Sequence, residues 1–396
     1  MDVKDNVECD TSMRDDRGGM ERLLRHEVLD RGLSSVDKLQ RRCAHGSALG
    51  VSASSGGALN DAIMSGRFAV AKYLVNNGYQ LGRTANLVVP YYAVRGNLAM
   101  IKWLRTEQLA EEATQWLADA ASAGHLDIVK WVHENNPEDA CTTYAMDSAA
   151  SGGHLEVVKW LHENQSEGCT ACAMDNAAAN GHLEIVKWLH ANRAEGCSTN
   201  AIDEAARNGH FDVVKWLHAN RSEGCTTWAM DYAALAGRLE IVTFLHSNQA
   251  GGCTRWAMDN AAGRGHLEVV KWLHANRTEG CTQEVMNKAA DSGRLDIVKW
   301  LHENRTEGCS TAAMGEIDSL EILQWLHENR SEGCTEVAME TAVADGKFEK
   351  LLFLKQTGIA RYARDAVFRG AENDQFEIFQ WLRANYPDLT FSKTAN

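Results

Sequence analysis

Residues 169–196 read CTACAMDNAAANGHLEIVKWLHANRAEG. Thr170 stands before a run of small residues and can cap its start, because a hydroxyl there accepts from the free N–H groups of a first turn. The run predicts a helix through Ala179, broken at Gly181. Beyond it Leu183, Ile185, Val186, Trp188 and Leu189 fall on one side at helical period. Glu184 in the first turn and Arg193 near the end suit the helix dipole, and Gly196 is placed for a left-handed stop. The stretch predicts two short helices, and no period-two alternation competes with that reading.

The same beat runs along the chain. Aromatic residues recur at Tyr73, Trp103, Trp131, Trp160, Trp188, Trp216, Phe244, Trp272, Trp300, Trp325, Phe353 and Trp381, mostly 28 residues apart. Cysteine keeps step at Cys141, Cys169, Cys197, Cys225, Cys253, Cys281, Cys309 and Cys334. A period this regular means stacked units and not separate globular domains. The expectation is an all-α solenoid of about twelve helix pairs over residues 58–396. A non-repeat segment, residues 1–57, precedes it. Its first thirty residues are too charged to order by themselves. Leu33–Arg42 is a candidate capping helix and residues 49–57 a linker. One unit is three residues short: after Met314 the chain reads Gly-Glu-Ile-Asp-Ser-Leu where others have D-x-A-A-x-x-G-H-L. About one turn of its first helix, near residues 310–321, is missing.

A small-residue helix ending A-A-x-x-G-H, followed by L-E-V-V-K-x-L, resembles the ankyrin repeat. The pattern recurs from Ala149-Ala150 to His154, Ala177-Ala178 to His182, Ala205-Ala206 to His210, and Ala261-Ala262 to His266. Two features depart from that family. A-M-D (Ala173-Met174-Asp175) replaces T-P-L-H, and the unit has 28 residues where about 33 are usual. The long hairpin between units is cut to N-R-x-E-G-C, which speaks against binding by protruding fingers. The resemblance implies that first helices line a concave surface which holds a protein partner.

Bulk composition narrows the function classes. With 44% apolar residues the chain can bury a large core, and 3 prolines among 396 residues favour helix. A net charge of −14 repels phosphate backbones, so neither nucleic acid nor an anionic membrane is expected as partner. No apolar run reaches the ~20 residues a membrane span needs. The first twenty residues have no signal-peptide core. A cytoplasmic, reducing setting with free thiols and a monomer follow as expectations.

Positions that stay fixed from unit to unit should serve stacking. The aromatic ladder is expected to be buried, each ring against the second helix of the next unit. The cysteines are one helix spacing apart, ~8–10 Å, too far for disulfides, and read as small buried hydrophobes. Cys169 and Cys172 form a lone C-x-x-C without the strand context of a redox motif. His154 and His162 lie eight residues apart on one helix, ~12 Å by rise, and cannot share a metal. Asp147, Asp175, Asp203, Asp231 and Asp259, with Asn287 in the same slot, are read as hydrogen-bonding a neighbouring loop. No catalytic constellation, phosphate loop, cofactor motif or metal set emerges, and an enzyme is not expected. Arg22-Leu23-Leu24-Arg25 matches a short effector pattern, but four residues alone decide nothing.

The opposite face of the first helix varies. Tyr144, Ser148 and Ser151 become Cys172, Asn176 and Ala179, then Asn200, Glu204 and Arg207, then Trp228, Tyr232 and Leu235, then Trp256, Asn260 and Gly263, then Glu284, Lys288 and Asp291. Trp228, Tyr232, Leu235 and Trp256, joined by Arg255, form an apolar spot between polar units, the composition of an interface hot spot. The competing reading is that both tryptophans tuck between units. The expected function is a scaffold or adaptor that holds a protein. The alternative is an inhibitor that blocks an enzyme.

Overall fold

The computed structural model describes residues 56–79, 85–107, 109, 114–135, 142–248, 250–315, 317–359 and 375–386. The N-terminal segment through residue 55, with the candidate capping helix, most of the linker and Arg22–Arg25, lies outside them, as does Cys141. Among the described residues there are twenty-three helices and no strand. They are α1 Gly56–Met64, α2 Phe68–Asn76, α3 Ala85–Val94, α4 Leu98–Thr106, α5 Thr114–Ser122, α6 Leu126–Asn135, α7 Thr143–Gly152, α8 Leu155–Asn164, α9 Ala171–Ala179 and α10 Leu183–Asn192. The series continues with α11 Asn200–Asn208, α12 Phe211–Asn220, α13 Thr227–Leu235, α14 Leu239–Ser247, α15 Arg255–Gly263, α16 Leu267–Asn276, α17 Glu284–Asp291 and α18 Leu295–Asn304. It ends with α19 Ala312–Gly315, α20 Leu320–Asn329, α21 Val337–Ala344, α22 Phe348–Thr357 and α23 Phe376–Asn385. That is eleven helix pairs and a twelfth second helix, the succession of an α-solenoid. No described helix is long and apolar enough to cross a membrane.

The repeats group into two compact units, residues 1–177 with 184–197, and residues 178–183 with 198–396. In the first unit α5 packs on α7 and α3 on α5. Its core holds Met146, Ala149 and Ala150 of the first helix α7 with Val157, Val158 and Leu161 of the second helix α8. In the second unit α13 packs on α11 and on α15, and α15 on α17. Met230, Ala233, Ala234, Ile241, Val242 and Leu245 are buried there in the same pattern. Alanine at the first-helix contacts lets neighbouring backbones approach closely. The branched residues of the second helix then fill the space beneath, burial worth roughly 1.5–3 kcal/mol for each large side chain.

At four joints a buried carboxylate fastens one repeat to the next. Asp203 accepts from the Thr226 backbone N–H at 3.0 Å and from its hydroxyl at 2.6 Å. Asp147 holds Thr170, Asp231 holds Thr254 and Asp259 holds Thr282 in the same way. The threonine in turn caps its own helix: the Thr226 hydroxyl accepts from Trp228 N–H at 3.1 Å. Asn287 does the task with Ser310, accepting from its N–H at 3.0 Å and donating to its hydroxyl at 2.8 Å. Burial pushes the Asp147, Asp203 and Asp231 carboxyls above their usual range, against the lowering effect of these hydrogen bonds.

In several repeats the residue before the second helix reaches back to the preceding repeat. The His266 ring bonds the Leu235 carbonyl and covers Gly237, whose φ is +70°. A Cβ on Gly237 would lie 2.5 Å from His266 Nδ1. That glycine is therefore fixed twice, by its left-handed backbone and by the ring above it. Arg238 covers Gly209 in the same manner, its Nε 2.6 Å from a Cβ built there.

The aromatic ladder corrects an expectation. Only Trp103 is buried, at 8% exposure; Trp131, Trp160, Trp188, Trp216, Trp272, Trp300, Trp325 and Trp381 are half-buried, and Tyr73 is exposed. Several of these rings meet the histidine that ends the preceding second helix, and not only apolar groups. His133 and Trp160, His162 and Trp188, and His274 and Trp300 stand edge to face with centroids 5.3, 5.2 and 5.2 Å apart. The helix-end histidine thus has a specific ring partner, beyond the dipole role read from its position.

Cys169, Cys253, Cys281 and Cys309 sit under an arginine–glutamate lid. Arg277 pairs with Glu279 of its own loop and lies against Cys253 of the preceding repeat. The described cysteines are free. Burial, the largest cause, pushes the thiols of Cys169, Cys225, Cys253 and Cys309 up to about 11 and that of Cys281 to about 12. Cys169 is thereby a poor candidate for redox chemistry, since the thiolate is the reactive form.

The short repeat has its own repair. Its first helix, α19, has four residues, and Gly315 stands where other repeats carry the fastening Asp. In the next second helix Lys350 takes the slot that Ile297 and Ile322 fill elsewhere. Lys350 is 3% exposed. Its amine donates to the Ile317 carbonyl at 2.7 Å, the Gly315 carbonyl at 3.4 Å and the Thr341 hydroxyl at 3.3 Å. Lys350 thereby gives the Ile317 carbonyl a donor and shares the Gly315 carbonyl with the Thr341 hydroxyl, backbone groups that the missing turn leaves open.

Candidate functional site

Helical phase turns one side of each first helix away from the core, and α13 and α15 put aromatic residues there. Thr226 and Thr254 cap these helices through Trp228 N–H and Trp256 N–H, both at 3.1 Å. Met230 and Met258 point inward and are buried. Trp228 and Trp256 are left 52% and 62% exposed. They do not tuck between repeats. A large ring in water at two successive repeats is uncommon on a surface that is otherwise polar.

Trp228 stands edge to face with Tyr232, centroids 5.0 Å apart. On the far side the Arg207 guanidinium lies 4.9 Å from the Tyr232 ring centroid and 3.5 Å from Glu204. Tyr232 and Leu235 are half-buried; Tyr232 touches Trp228, and the Leu235 carbonyl accepts from the His266 ring. Arg255 is exposed, with Nε donating to the Glu279 carbonyl at 3.2 Å. All five residues singled out from the sequence thus sit in one compact unit. Trp228, Tyr232 and Leu235 share one helix, and Arg255 and Trp256 begin the first helix of the next repeat, which packs directly against it.

Sequence reading missed the cations beside this face. Arg238 and Arg294 occupy the reach-back slot, where sister repeats have His210 and His266. Arg294 covers Gly265 as Arg238 covers Gly209. Arg264 is exposed next to Gly265, and Lys288 donates to Asn260 at 2.8 Å. The signal was available: arginine replaces histidine in a slot that otherwise repeats, next to the tryptophan-bearing helices. Burial, chiefly, and the charges of Arg294, Arg238 and Arg264 hold His266 below the usual imidazole range, which places those arginines around it.

The family model for ankyrin repeats in many copies matches residues 117–162, 174–218, 202–246, 230–274 and 258–302. Residues 117–302 carry ankyrin repeats. These repeats have the shortened connection described above, with no strand among the described residues. No curated protein matches the chain in sequence. Among solved structures it is similar to the pentatricopeptide repeat protein PPR10 in complex with an 18-nt psaJ RNA element. Identity is 13% and the TM-score 0.41, over 94% of this chain and 58% of that one. A triple cysteine-to-serine variant of PPR10 with the same RNA element gives the same values. The chain thus spans under two thirds of those structures.

The expectation that nucleic acid is excluded is corrected by where the charges lie. That exclusion rested on a charge of −14 summed over the whole chain. Charge acts locally, within about 8–10 Å at ordinary salt, and the face built by α11–α17 carries Arg207, Arg238, Arg255, Arg264, Lys288 and Arg294. An acidic total does not describe it.

Proposed function

We propose that this protein is an interaction scaffold that holds a protein partner on the exposed side of its first helices, with Trp228, Tyr232, Leu235, Arg255 and Trp256 as anchors. The observation that carries the reading is the exposure of Trp228 and Trp256, 52% and 62%, with Tyr232 edge to face with Trp228 and Arg207 over the Tyr232 ring. Large rings flanked by polar groups are where truncation costs most at protein interfaces, about 2 kcal/mol or more. The side chains come pre-organised on capped helices, so little ordering entropy opposes binding. The free cysteines with raised thiol values suit a reducing compartment such as the cytoplasm.

The test compares the full chain with the variant Trp228→Ala, Trp256→Ala in affinity capture from the native cell. Proteins retained by the parent and lost by the variant, with the melting temperature within about 2 °C, are the expected result. Equal capture by both, or a melt lowered far beyond that, contradicts the assignment.

A further inference from the structure

We infer that the partner segment is an acidic peptide carrying at least one large apolar residue, laid along the α11–α17 face with its carboxylates on Arg238, Arg264 and Arg294 and its apolar side chain on Trp228, Tyr232 and Trp256. This rests on the docking reading above and adds the chemistry of the occupant.

Charge complementarity carries the inference. The chain as a whole has 54 acidic and 40 basic residues. With the buried joint residues Asp203, Asp231 and Asp259 set aside, the first-helix, helix-end and reach-back positions between residues 200 and 294 that are not buried reverse that balance. Arg207, Arg238, Arg264, Lys288 and Arg294 stand against Glu204, Glu284 and Asp291, and Glu204 is engaged with Arg207 at 3.5 Å. Stacking does not require these cations. The reach-back contact is made equally by His210 over Gly181 and His266 over Gly237, and both histidines are held below the usual imidazole range, mainly by burial. Arginine in that slot adds a permanent charge and a planar fork that matches a carboxylate. Exposed guanidinium groups therefore follow the C-terminal ends of the helices whose first turns carry Trp228 and Trp256, in the only described stretch with two adjacent exposed tryptophan-bearing first helices.

The basic stretch is short. Glu204 bounds it at one end and Glu284 with Asp291 at the other. A few carboxylates of a peptide fit it, whereas a phosphodiester strand carries a charge at every nucleotide and needs cations along its whole path. The rings point the same way. Trp228 and Tyr232 meet edge to face at 71°, so they do not present parallel faces, while single-stranded nucleic acid takes successive flat faces for its bases.

Sister repeats supply a gentle variant. Arg238→His and Arg294→His install the residue of His210 and His266, and Arg264→Asn installs that of Asn180 and Asn208. The triple variant removes three positive charges, and each new residue already serves the same slot elsewhere in the chain. The probe is a displayed library of random 16-residue peptides sorted on the immobilised full chain, with a 20-nucleotide oligouridylate titrated in parallel.

The expected result is enrichment of Asp and Glu around Trp, Phe or Leu. Peptides so selected should bind the triple variant about tenfold more weakly at low salt, with the difference fading at high salt. The Trp228→Ala, Trp256→Ala variant should lose them at either salt. Enriched peptides with no acidic bias, bound equally by the triple variant but lost by the tryptophan variant, overturn the acidic partner and leave the docking reading standing. No enriched peptide at all, or peptides indifferent to the tryptophans, overturns the docking reading itself. Oligouridylate bound more tightly than any peptide, and lost in the triple variant, overturns the inference in favour of RNA.

Discussion

The joint between α15 and α17 and the joint between α19 and α21 solve one problem with different chemistry. In the regular joint Asp259 grips Thr282 by its N–H and hydroxyl at 2.9 and 2.7 Å. Paired alanines, Ala261-Ala262 and Ala289-Ala290, are fully buried there. In the short joint the carboxylate is gone and Gly315 stands in its place. Thr341 donates to the Gly315 carbonyl at 3.0 Å, and Lys350 bonds the same carbonyl and that of Ile317. In both joints the next repeat donates and the preceding one accepts, but the acceptor changes from a side-chain carboxylate to backbone carbonyls. A regular repeat offers a buried acceptor to the N–H groups of the next, whereas the short repeat offers bare carbonyls, and the next repeat supplies a buried amine. Backbone groups left without partners, and not loss of apolar area alone, decide what a shortened helix needs.

This comparison breaks most easily at Lys350. Lys350→Met keeps volume and removes the donor, so the Ile317 and Gly315 carbonyls lose a charge-assisted partner. Stability of the C-terminal repeats should fall by roughly 2–3 kcal/mol. Chemical denaturation followed by Trp325 and Trp381 fluorescence would read it. A gain in stability would mean that the desolvated amine, whose value burial already lowers, costs more than its bonds return.

The regular joint should be more tolerant, because an amide already serves it at Asn287. Asp231→Ala strands the Thr254 N–H and hydroxyl and should cost roughly 1–2 kcal/mol, whereas Asp231→Asn should cost clearly less. The pair also sharpens the pH behaviour. The folded Asp231 carboxyl lies above its unfolded value. Its contribution is therefore fully present below about pH 3.8 and is lost as pH rises through the raised folded value. The stability of the parent relative to Asp231→Asn should grow between pH 6 and pH 3. A difference that shrinks over that range refutes the assigned shift.

The smallest effect belongs to the loop lids, which both kinds of joint share. Arg330 holds Glu332 down to about 2, the hydrogen bond being the largest cause. A depressed carboxyl contributes above its unfolded value near 4.5 and loses that contribution as pH falls toward 2. Glu332→Gln should sit a few tenths of a kcal/mol below the parent at neutral pH, as a partly exposed pair allows, and the two should converge by pH 2–2.5. Thermal melts at both pH values check this. A gap that widens in acid goes against the lid.

Much of this fold was legible because it is written many times. The Thr170 cap, the Gly181 break and the Val157–Leu161 core stripe each follow from local period and capping chemistry, and the recurrence of Asp147 to Asp259 announced a fastening role. What the pattern hid depends on contacts between repeats. Trp188 looks like core by helical phase, yet its ring is half-buried and set against His162. His266 looks like a helix start, yet it covers Gly237 of the preceding repeat. Lys350 escaped notice because a lysine reads as surface until the gap at Gly315 is seen in space. The exposed tryptophans were legible as departures from the repeat. The arginines beside them were equally visible departures, but their meaning appeared only when Arg238 and Arg294 came to lie against glycines at the ends of tryptophan-flanking helices.

The claim that the varying side of the first helices is where a partner sits is tested most directly by hydrogen–deuterium exchange of the full chain with and without a saturating acidic peptide from the display selection. The account predicts slowed exchange in α13 and α15, residues 227–235 and 255–263, with α14 and α16 unchanged. Slowing confined to α14 and α16, or to the Arg277–Glu279 loop, would contradict it.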